Sequence, residues 1–162
     1  MNDNKEIKKI KTAVYVRIST DEKRQKYSLG EQEERIINYC NYKRQAQDID
    51  YEIVEIFRED KSAKNMKDRP KFLKMLDMVK KGKIEHIIIF KLDRMTRSLR
   101  DLEEILTLIE EYDCGLTSVS EDIDTKGIMG RFCIRLMILV AQLEIEQNSF
   151  RTTIGMEGAA KA

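Results

Sequence analysis

One hydroxyl and several guanidinium groups follow the strands that the sequence predicts, at the positions where those strands end. Guanidinium groups bind phosphate oxygens in pairs and stay positively charged at any physiological pH. A serine hydroxyl among them could attack a phosphodiester, because the arginines would stabilise the negative charge of the transition state. Such a reaction forms a covalent phosphoserine, conserves the energy of the phosphodiester bond and needs no nucleotide cofactor. The residues in this pattern are Ser19, Arg17, Arg69, Arg94 and Arg97.

Taken one at a time, these and the neighbouring polar residues also have ordinary structural interpretations. A serine after a strand, such as Ser19, is usually a helix cap or a turn residue. Asp60 could close a turn, and Asp93 could orient Arg94 or Arg97 through an ion pair. His86 lies inside an apolar run, so it is expected in the core, and the sequence offers no obvious general base for the serine. The chemical interpretation therefore depends on all these residues meeting at one place.

The strand ends meet only if the chain folds around a parallel sheet. Apolar or alternating segments predict strands over residues 12–18, 51–57, 84–90 and 115–120. Segments of helical period separate them, and capping-box patterns at Ser28 and Ser98 mark two helix starts. This alternation predicts an α/β fold: a three-layer sandwich with a mostly parallel central sheet of about 4–5 strands, helices on both faces and a long C-terminal helix. In such a sheet, ligands bind beyond the carboxyl ends of the strands.

Composition limits the possible classes of protein. The 162 residues suit one domain, and 41% hydrophobic residues are enough for a core. No apolar run reaches the roughly 18 residues of a membrane span, so no membrane partner is predicted. Three widely separated cysteines argue against a disulfide scaffold or a zinc site and are typical of a cytoplasmic protein. The sequence has no glycine-rich phosphate loop and no carboxylate cluster of the two-metal type, so neither a metal nor a cofactor is predicted.

Charge is distributed unevenly although the formal net charge is only +1. Residues 61–100 contain 13 Lys or Arg and 4 Asp or Glu, whereas residues 101–125 contain 9 Asp or Glu and no Lys or Arg. A basic block of this kind is consistent with a face that binds a polyanion. It is equally consistent with solvated helix surfaces, so charge alone leaves both interpretations open.

The ordered set of motifs resembles the serine recombinases, the family of resolvases, invertases and large serine integrases and transposases. The segment YVRIST at 15–20 resembles the nucleophile motif of that family, and FKLDRMTR at 90–97 resembles its K-x-D-R-x-x-R segment. The resemblance covers roughly residues 12–155. Further matching segments are DKSA at 60–63, DRP at 68–70, DTKGIMG at 124–130 and AQLE at 141–144.

The resemblance implies a role for each candidate residue. Ser19 would be the nucleophile that becomes linked to a DNA 5′-phosphate and leaves a free 3′-hydroxyl. Arg94 is a candidate for protonating the leaving 3′-oxygen. The remaining roles are binding of the scissile phosphate by Arg17, Arg69, Arg94 and Arg97, and support of the site by Gln32, Asp60 and Asp93.

The resemblance also implies partners. The chain would act on double-stranded DNA as a homodimer, with a tetramer in the synaptic complex that exchanges half-sites by subunit rotation. Residues 1–127 are expected to form the catalytic core, and residues 128–162 the oligomerisation helix and the start of a linker to a missing DNA-binding region. The apolar stripe of that helix is wider than one sheet face needs. The predicted interface residues are Met129, Phe132, Leu136, Met137 and Val140.

Two details of the sequence differ from the pattern common in the family that it resembles. The segment between Ser19 and Gln32 is longer than in small resolvases, so the chain is most like the large serine recombinases. Phe150 and Arg151 stand where family members commonly carry Glu-Arg in the long helix. That difference bears on how the helix docks rather than on the chemistry.

Two other functions fit parts of the pattern. A non-catalytic, phosphate-binding α/β regulatory domain would use the same basic strand ends only to hold a phosphate. A metal-dependent nuclease would need clustered carboxylates, and only Asp60 and Asp93 are placed at strand ends. Replacement of Ser19 separates the first alternative from a recombinase, and sensitivity to a chelator separates the second.

Overall fold

A central β-sheet organises the chain in a computed structural model, which describes residues 7–18, 27–59 and 65–161. Within that part of the chain, five strands lie side by side in the order β2-β1-β3-β4-β5. The strands are β1 (Lys9–Arg17), β2 (Asp50–Glu59), β3 (His86–Ile89), β4 (Gly115–Ser118) and β5 (Ile123–Asp124).

The first four strands are parallel, and the fifth is antiparallel. β1 pairs with β2 and β3, β3 pairs with β4, and only the short β5 runs in the opposite direction. The carboxyl ends of β1 to β4 therefore lie at one edge of the sheet. The mostly parallel sheet predicted from the sequence is confirmed, whereas β5 is an addition that the sequence pattern did not indicate.

Helices cover both faces of the sheet, which confirms the three-layer sandwich. α1 packs on one face through a cluster that includes Ile36 and Cys40, together with Val14 and Ile88 of the sheet. The other face carries α2, α4 and the start of α5. No helix of the described residues is both long and apolar enough to cross a membrane. The helices are α1 (Leu29–Gln47), α2 (Pro70–Lys80), α3 (Leu92–Met95), α4 (Leu99–Glu111) and α5 (Ile128–Lys161), and a 3-10 turn covers Met66–Asp68.

The predicted capping residues determine where two of the helices begin. The Ser28 hydroxyl accepts a bond of 3.2 Å from the Glu31 backbone N–H, and the Glu31 carboxylate accepts one of 2.6 Å from the Ser28 backbone N–H. This reciprocal capping box fixes the first turn of α1. At α4, the Ser98 hydroxyl accepts a bond of 3.2 Å from the Asp101 backbone N–H.

His86 is a core residue, as the sequence predicted. Its Nε2 atom lies 2.7 Å from Oγ1 of Thr117, and the ring is buried. The ring occupies the space beside Gly115, where a Cβ atom would overlap its Nδ1 atom. Burial lowers the pKa of His86 to about 4, so the imidazole is neutral at pH 7.

α5 covers nearly all of the predicted C-terminal helix region and extends beyond the sheet. Its 34 residues correspond to about 50 Å at 1.5 Å per residue. Gly130 lets the first turn approach β5, since a Cβ atom there would overlap the carbonyl group of Asp124. Arg135 donates to both carboxylate oxygens of Glu110 in α4 at 2.8 and 2.9 Å. From Leu143 onward, every side chain of α5 that the structure describes is exposed.

Candidate active site

Arg17 joins the end of β1 to the segment that follows β3. Its buried guanidinium group donates to the backbone oxygen of Arg94 at 2.9 Å and to that of Asp93 at 3.0 Å. A third bond of 3.3 Å goes to the backbone oxygen of Ile18. A guanidinium group has five N–H donors, so three of them are used to hold backbone in place. Arg17 therefore builds the site as well as contributing positive charge.

Arg69 reaches the same place from the start of α2. The side chain is buried, and its guanidinium group donates to the backbone oxygen of Met95 in α3. Arg69 is also the N-cap residue of α2, although its side chain does not cap the helix. Arg69 is the single residue between the 3-10 turn and α2, and it thus places a second positive charge next to α3.

Glu59, at the carboxyl end of β2, performs the capping that Arg69 does not. One of its carboxylate oxygens accepts bonds from the backbone N–H groups of Lys71 at 3.2 Å and Phe72 at 3.3 Å. A carboxylate is favourable at a helix N-terminus because the peptide dipoles leave positive charge there. Sequence reasoning missed Glu59. Its signal was the strand alternation, which puts Glu59 on the same buried face as Phe57.

β3 leads into the four-residue helix α3, which contains Arg94, and Arg97 follows shortly after that helix. Arg94 is buried with its Nε atom 3.7 Å from a carboxylate oxygen of the half-buried Asp93, whereas Arg97 is exposed. The sequence did not predict α3 or the role of Glu121. The Glu121 carboxylate accepts a bond of 3.1 Å from the Leu92 backbone N–H, which holds the start of α3.

The four arginines of this site lie close enough together for the charges of three of them to act on Arg17. Burial lowers the pKa of Arg17, and the positive charges of Arg69, Arg97 and Arg94 lower it further. Burial also raises the pKa of the nearby Tyr15 to about 12, although the charges of Arg69 and Arg17 oppose that shift. Positive charges held this close together attract an anion strongly, because an anion neutralises several of them at once. We call Arg17, Arg69, Arg94 and Arg97 the arginine cluster.

Gln32, which was predicted to support the site, lies beside the arginine cluster. Its side chain is fully buried, and Nε2 donates to the backbone oxygen of Arg17 at 3.2 Å and to that of Tyr27 at 3.3 Å. Ser19 and Asp60, the other two predicted site residues near these elements, lie outside the described residues. The chain places Ser19 two positions after Arg17.

The predicted interface residues lie apart from the arginine cluster, along the exposed side of α5. Their exposed fractions range from 45% for Met137 to 69% for Met129. Ile134 and Ile138 form the buried side of the same helix. The apolar side chains of α5 thus form two sides, one in the core and one open to solvent. The open part includes Met129, Phe132, Leu136, Met137 and Val140.

Phosphate binding is the chemistry that the arginine cluster supports best. Four guanidinium groups meet at one sheet edge, and the described residues hold no group of three or more His, Cys, Asp or Glu side chains placed to bind a metal ion. Guanidinium forks match phosphate oxygens in geometry and charge.

Comparisons with known proteins agree with the fold. The family model for the resolvase N-terminal domain matches residues 12–162. The Tn917 transposon resolvase of Enterococcus faecalis is 36% identical over 109 residues, which cover 67% of this chain and 58% of that protein. The DNA-invertase hin of Salmonella typhimurium is 32% identical over 101 residues, which cover 62% of this chain and 52% of that protein. The chain therefore spans little more than half the length of these two curated relatives.

Solved structures show the same fold over more of the chain. A resolvase family site-specific recombinase from Streptococcus pneumoniae is 29% identical, with a TM-score of 0.68 over 94% of this chain and 99% of that one. The N-terminal catalytic domain of TP901-1 integrase has a TM-score of 0.69 at 22% identity over 87% of this chain and 99% of that one, which shows a shared fold. By its family match over nearly its whole length, the chain belongs to the resolvase N-terminal domain family.

Proposed function

We propose that this chain is the catalytic domain of a site-specific DNA serine recombinase. The observation that carries the proposal is the arginine cluster, which lies at the carboxyl edge of the sheet and includes Arg17, two positions before Ser19 in the chain. Two of its members are held to the backbone of α3 by hydrogen bonds, so the positive charge is preorganised rather than assembled on binding.

The proposed reaction is a transesterification without loss of bond energy. The Ser19 hydroxyl oxygen attacks the phosphorus of a DNA phosphodiester and releases its proton to water as the new O–P bond forms. The bond between phosphorus and the 3′-oxygen breaks, and that oxygen takes up a proton to become a 3′-hydroxyl. We assign this protonation to Arg94, which then regains a proton from water. The 5′-phosphate remains on Ser19, and attack by a 3′-hydroxyl reverses the step and rejoins the strand.

The other site residues support this step. Arg17, Arg69 and Arg97 bind the scissile phosphate together with Arg94 and stabilise the charge of its transition state. Asp93 orients Arg94 through the 3.7 Å contact between its carboxylate and Nε. We keep Asp60 as a supporting residue on the basis of sequence alone.

The proposed partners are double-stranded DNA and further copies of the same chain. The exposed apolar side of α5 supports a homodimer, because a run of large apolar side chains in solvent is typical of a protein interface. A tetramer in the synaptic complex would cut both duplexes and exchange half-sites by subunit rotation. We assign the first part of α5 to the subunit interface, and the part from about Gln147 onward to contact with DNA. The chain resembles the large serine recombinases most, and a cytoplasmic location fits its three unpaired cysteines.

Covalent attachment to DNA in cells tests this function, even when the DNA sites are unidentified. The protein, with any segments that naturally accompany this domain, is expressed in its host cell, and the lysate is denatured at once. DNA that remains covalently attached to the protein is purified, and its ends are sequenced. We expect discrete cut sites with the protein on 5′-ends and free 3′-hydroxyls, and no attached DNA for Ser19→Ala. Ser120→Ala, which changes an exposed serine at the same edge, is the matched control. Attached DNA at equal yield in Ser19→Ala would contradict the proposal.

A further inference from the structure

The helix α3, which carries Arg94, is too short to be stable without outside contacts. It has four residues, about one turn, and the first turn of a helix costs more conformational entropy than its hydrogen bond repays. Leu92 and Met95 anchor its apolar side in the core. The position of the Arg94 side chain therefore depends on the groups that hold the backbone of α3 at its two ends.

Two guanidinium groups hold the carboxyl side of α3. Arg17 donates to the backbone oxygens of Asp93 and Arg94, at 3.0 and 2.9 Å. Arg69 donates to the backbone oxygen of Met95. The last carbonyl groups of a helix carry partial negative charge, so cations are favourable there. This end of α3 is thus fixed by residues to which the proposed function already gives a role.

The Glu121 carboxylate holds the amino end of α3. Its two oxygens lie 3.1 and 3.4 Å from the backbone nitrogen of Leu92 and accept that N–H. The hydroxyl of the buried Ser118 donates to the same carboxylate and orients it. A negative charge is favourable here because the peptide dipoles leave positive charge at the start of a helix. α3 therefore lies between an anion at one end and two cations at the other.

The turn between β4 and β5 places Glu121 beside α3. The Ser120 backbone N–H donates to the carbonyl of Phe90 at 2.8 Å, which extends the pairing of β4 with β3 up to the start of α3. Asp122 has a φ of 51°, in the left-handed region that aspartate adopts more readily than most residues. The chain thus turns back into β5 immediately after Glu121, so the carboxylate stays next to the first turn of α3.

We propose that Glu121 is a positioning residue, which holds the first turn of α3 and thereby places Arg94 for its reaction with the scissile phosphate. The inference rests on the proposed function and adds a residue that acts through Arg94 rather than by contact with DNA. When the Leu92 N–H loses its acceptor, the first turn of α3 can open and the Arg94 side chain moves with it. Misplacement of a reacting group by about 1 Å costs on the order of 10²-fold in rate.

Three substitutions separate the hydrogen bond of Glu121 from its charge. Glu121→Ala removes both. Glu121→Gln removes the charge but keeps one carbonyl oxygen that can accept the Leu92 N–H. Ser118→Ala keeps the carboxylate but removes the hydroxyl that orients it. Glu111→Gln is the matched control, because it changes the net charge equally by neutralising an exposed carboxylate of α4.

Two measurements separate positioning from binding and from folding. The first compares the rate of covalent complex formation with affinity, both on a duplex spanning a cut site that has been mapped by sequencing the attached DNA. The second is amide hydrogen exchange of the free protein, over peptides that span α3 and, as an internal reference for folding, over β1. Because the exchange measurement needs no DNA, it tests the hold of Glu121 on α3 even if the proposed function fails.

The expected result is a graded loss of rate. Glu121→Ala should form the covalent complex on the order of 10²-fold more slowly, with affinity for the duplex within about threefold of wild type. Glu121→Gln should lose only about tenfold, because a neutral oxygen accepts a weaker bond than a carboxylate. Ser118→Ala should lie between wild type and Glu121→Ala. Exchange across α3 should quicken in these variants while β1 stays protected, and Glu111→Gln should behave as wild type.

Several results would overturn the inference. One is cleavage by a folded Glu121→Ala within about threefold of wild type. Another is an equal loss in Glu121→Ala and Glu121→Gln, because that would assign the effect to charge alone. If Glu121→Ala does not fold, wild-type rates and unchanged exchange in both Glu121→Gln and Ser118→Ala would overturn it. A wild-type protein that never attaches to DNA would refute the proposed function, and unchanged exchange across α3 in the variants would then refute the hold of Glu121 on that helix.

Discussion

Replacing Glu59 by glutamine should destabilise the domain by about 2 kcal/mol, although both residues have the same shape. The carboxylate accepts two backbone N–H groups at the start of α2, and hydrogen bonds to a charged group contribute about 1.5–3 kcal/mol each. The glutamine oxygen retains part of that contribution but loses the favourable interaction of a negative charge with the helix N-terminus, about 1–2 kcal/mol when partly buried. For a domain of this size, a loss of 2 kcal/mol lowers the melting temperature by about 4–8 °C.

Urea denaturation followed by far-ultraviolet circular dichroism at pH 7.5 measures this loss. Glu55→Gln is the matched control, because Glu55 lies on the same strand but is only half-buried, in an ion pair of 2.6 Å with Lys74. An exposed pair contributes at most about 1 kcal/mol, so the control should change stability little. If Glu59→Gln and Glu55→Gln have equal stability, the account of how β2 holds α2 and Arg69 is wrong.

Three further predictions concern charge stabilisation, assembly and pH. Arg97→Ala should slow covalent complex formation by about 10²–10³-fold, the usual effect of losing one preorganised hydrogen-bond donor. Cleavage by the wild type should persist in excess EDTA. Cleavage that stops in EDTA and returns when Mg²⁺ is added would favour a metal-dependent nuclease. Met137→Glu should shift the protein toward monomer in sedimentation velocity, because the substitution places a charge in the proposed interface. If the wild type is monomeric at high concentration and the variant has the same profile, the proposed interface is contradicted. Since the pKa of His86 is about 4 in the folded chain and near 6.5 when unfolded, the unfolded state takes up the proton first as pH falls. Wild type should therefore lose about 2 kcal/mol more than His86→Asn between pH 7.5 and 5 in urea denaturation, and equal losses would refute the neutral core histidine.

The parts of the fold that sequence predicts are those with a sustained pattern. Residues 84–90 are apolar on both faces, as an internal parallel strand requires, and β3 lies in the middle of the sheet. Ser28 and Ser98 cap the helices that their patterns predicted. Once alternating strands and helices imply a parallel sheet, the meeting of Arg17 with Arg94 at one edge follows from topology.

The features that sequence did not predict depend on contacts between distant segments. β5 has two residues and α3 has four, and segments this short cannot show the hydrophobic periodicity that identifies a strand or a helix in a sequence. Strand alternation could have identified Glu59 as buried, but its bonds to the α2 backbone appear only in the folded chain. The guanidinium group of Arg17 was interpreted as a phosphate ligand, and the fold also uses it to hold the carbonyl groups of α3. A guanidinium group fits both roles, so only the structure reveals the second.

The most direct test of the central claim is to identify the residue that carries DNA. Covalent complexes are treated with nuclease and trypsin, and the peptides are sequenced by mass spectrometry. Trypsin cuts after Arg17 and Lys23, which isolates residues 18–23 (ISTDEK). We predict a nucleotide linked through its 5′-phosphate to Ser19 in that peptide, with Thr20 unmodified. A nucleotide on Thr20 or on any other peptide, or a linkage through a 3′-phosphate, would contradict the proposed mechanism.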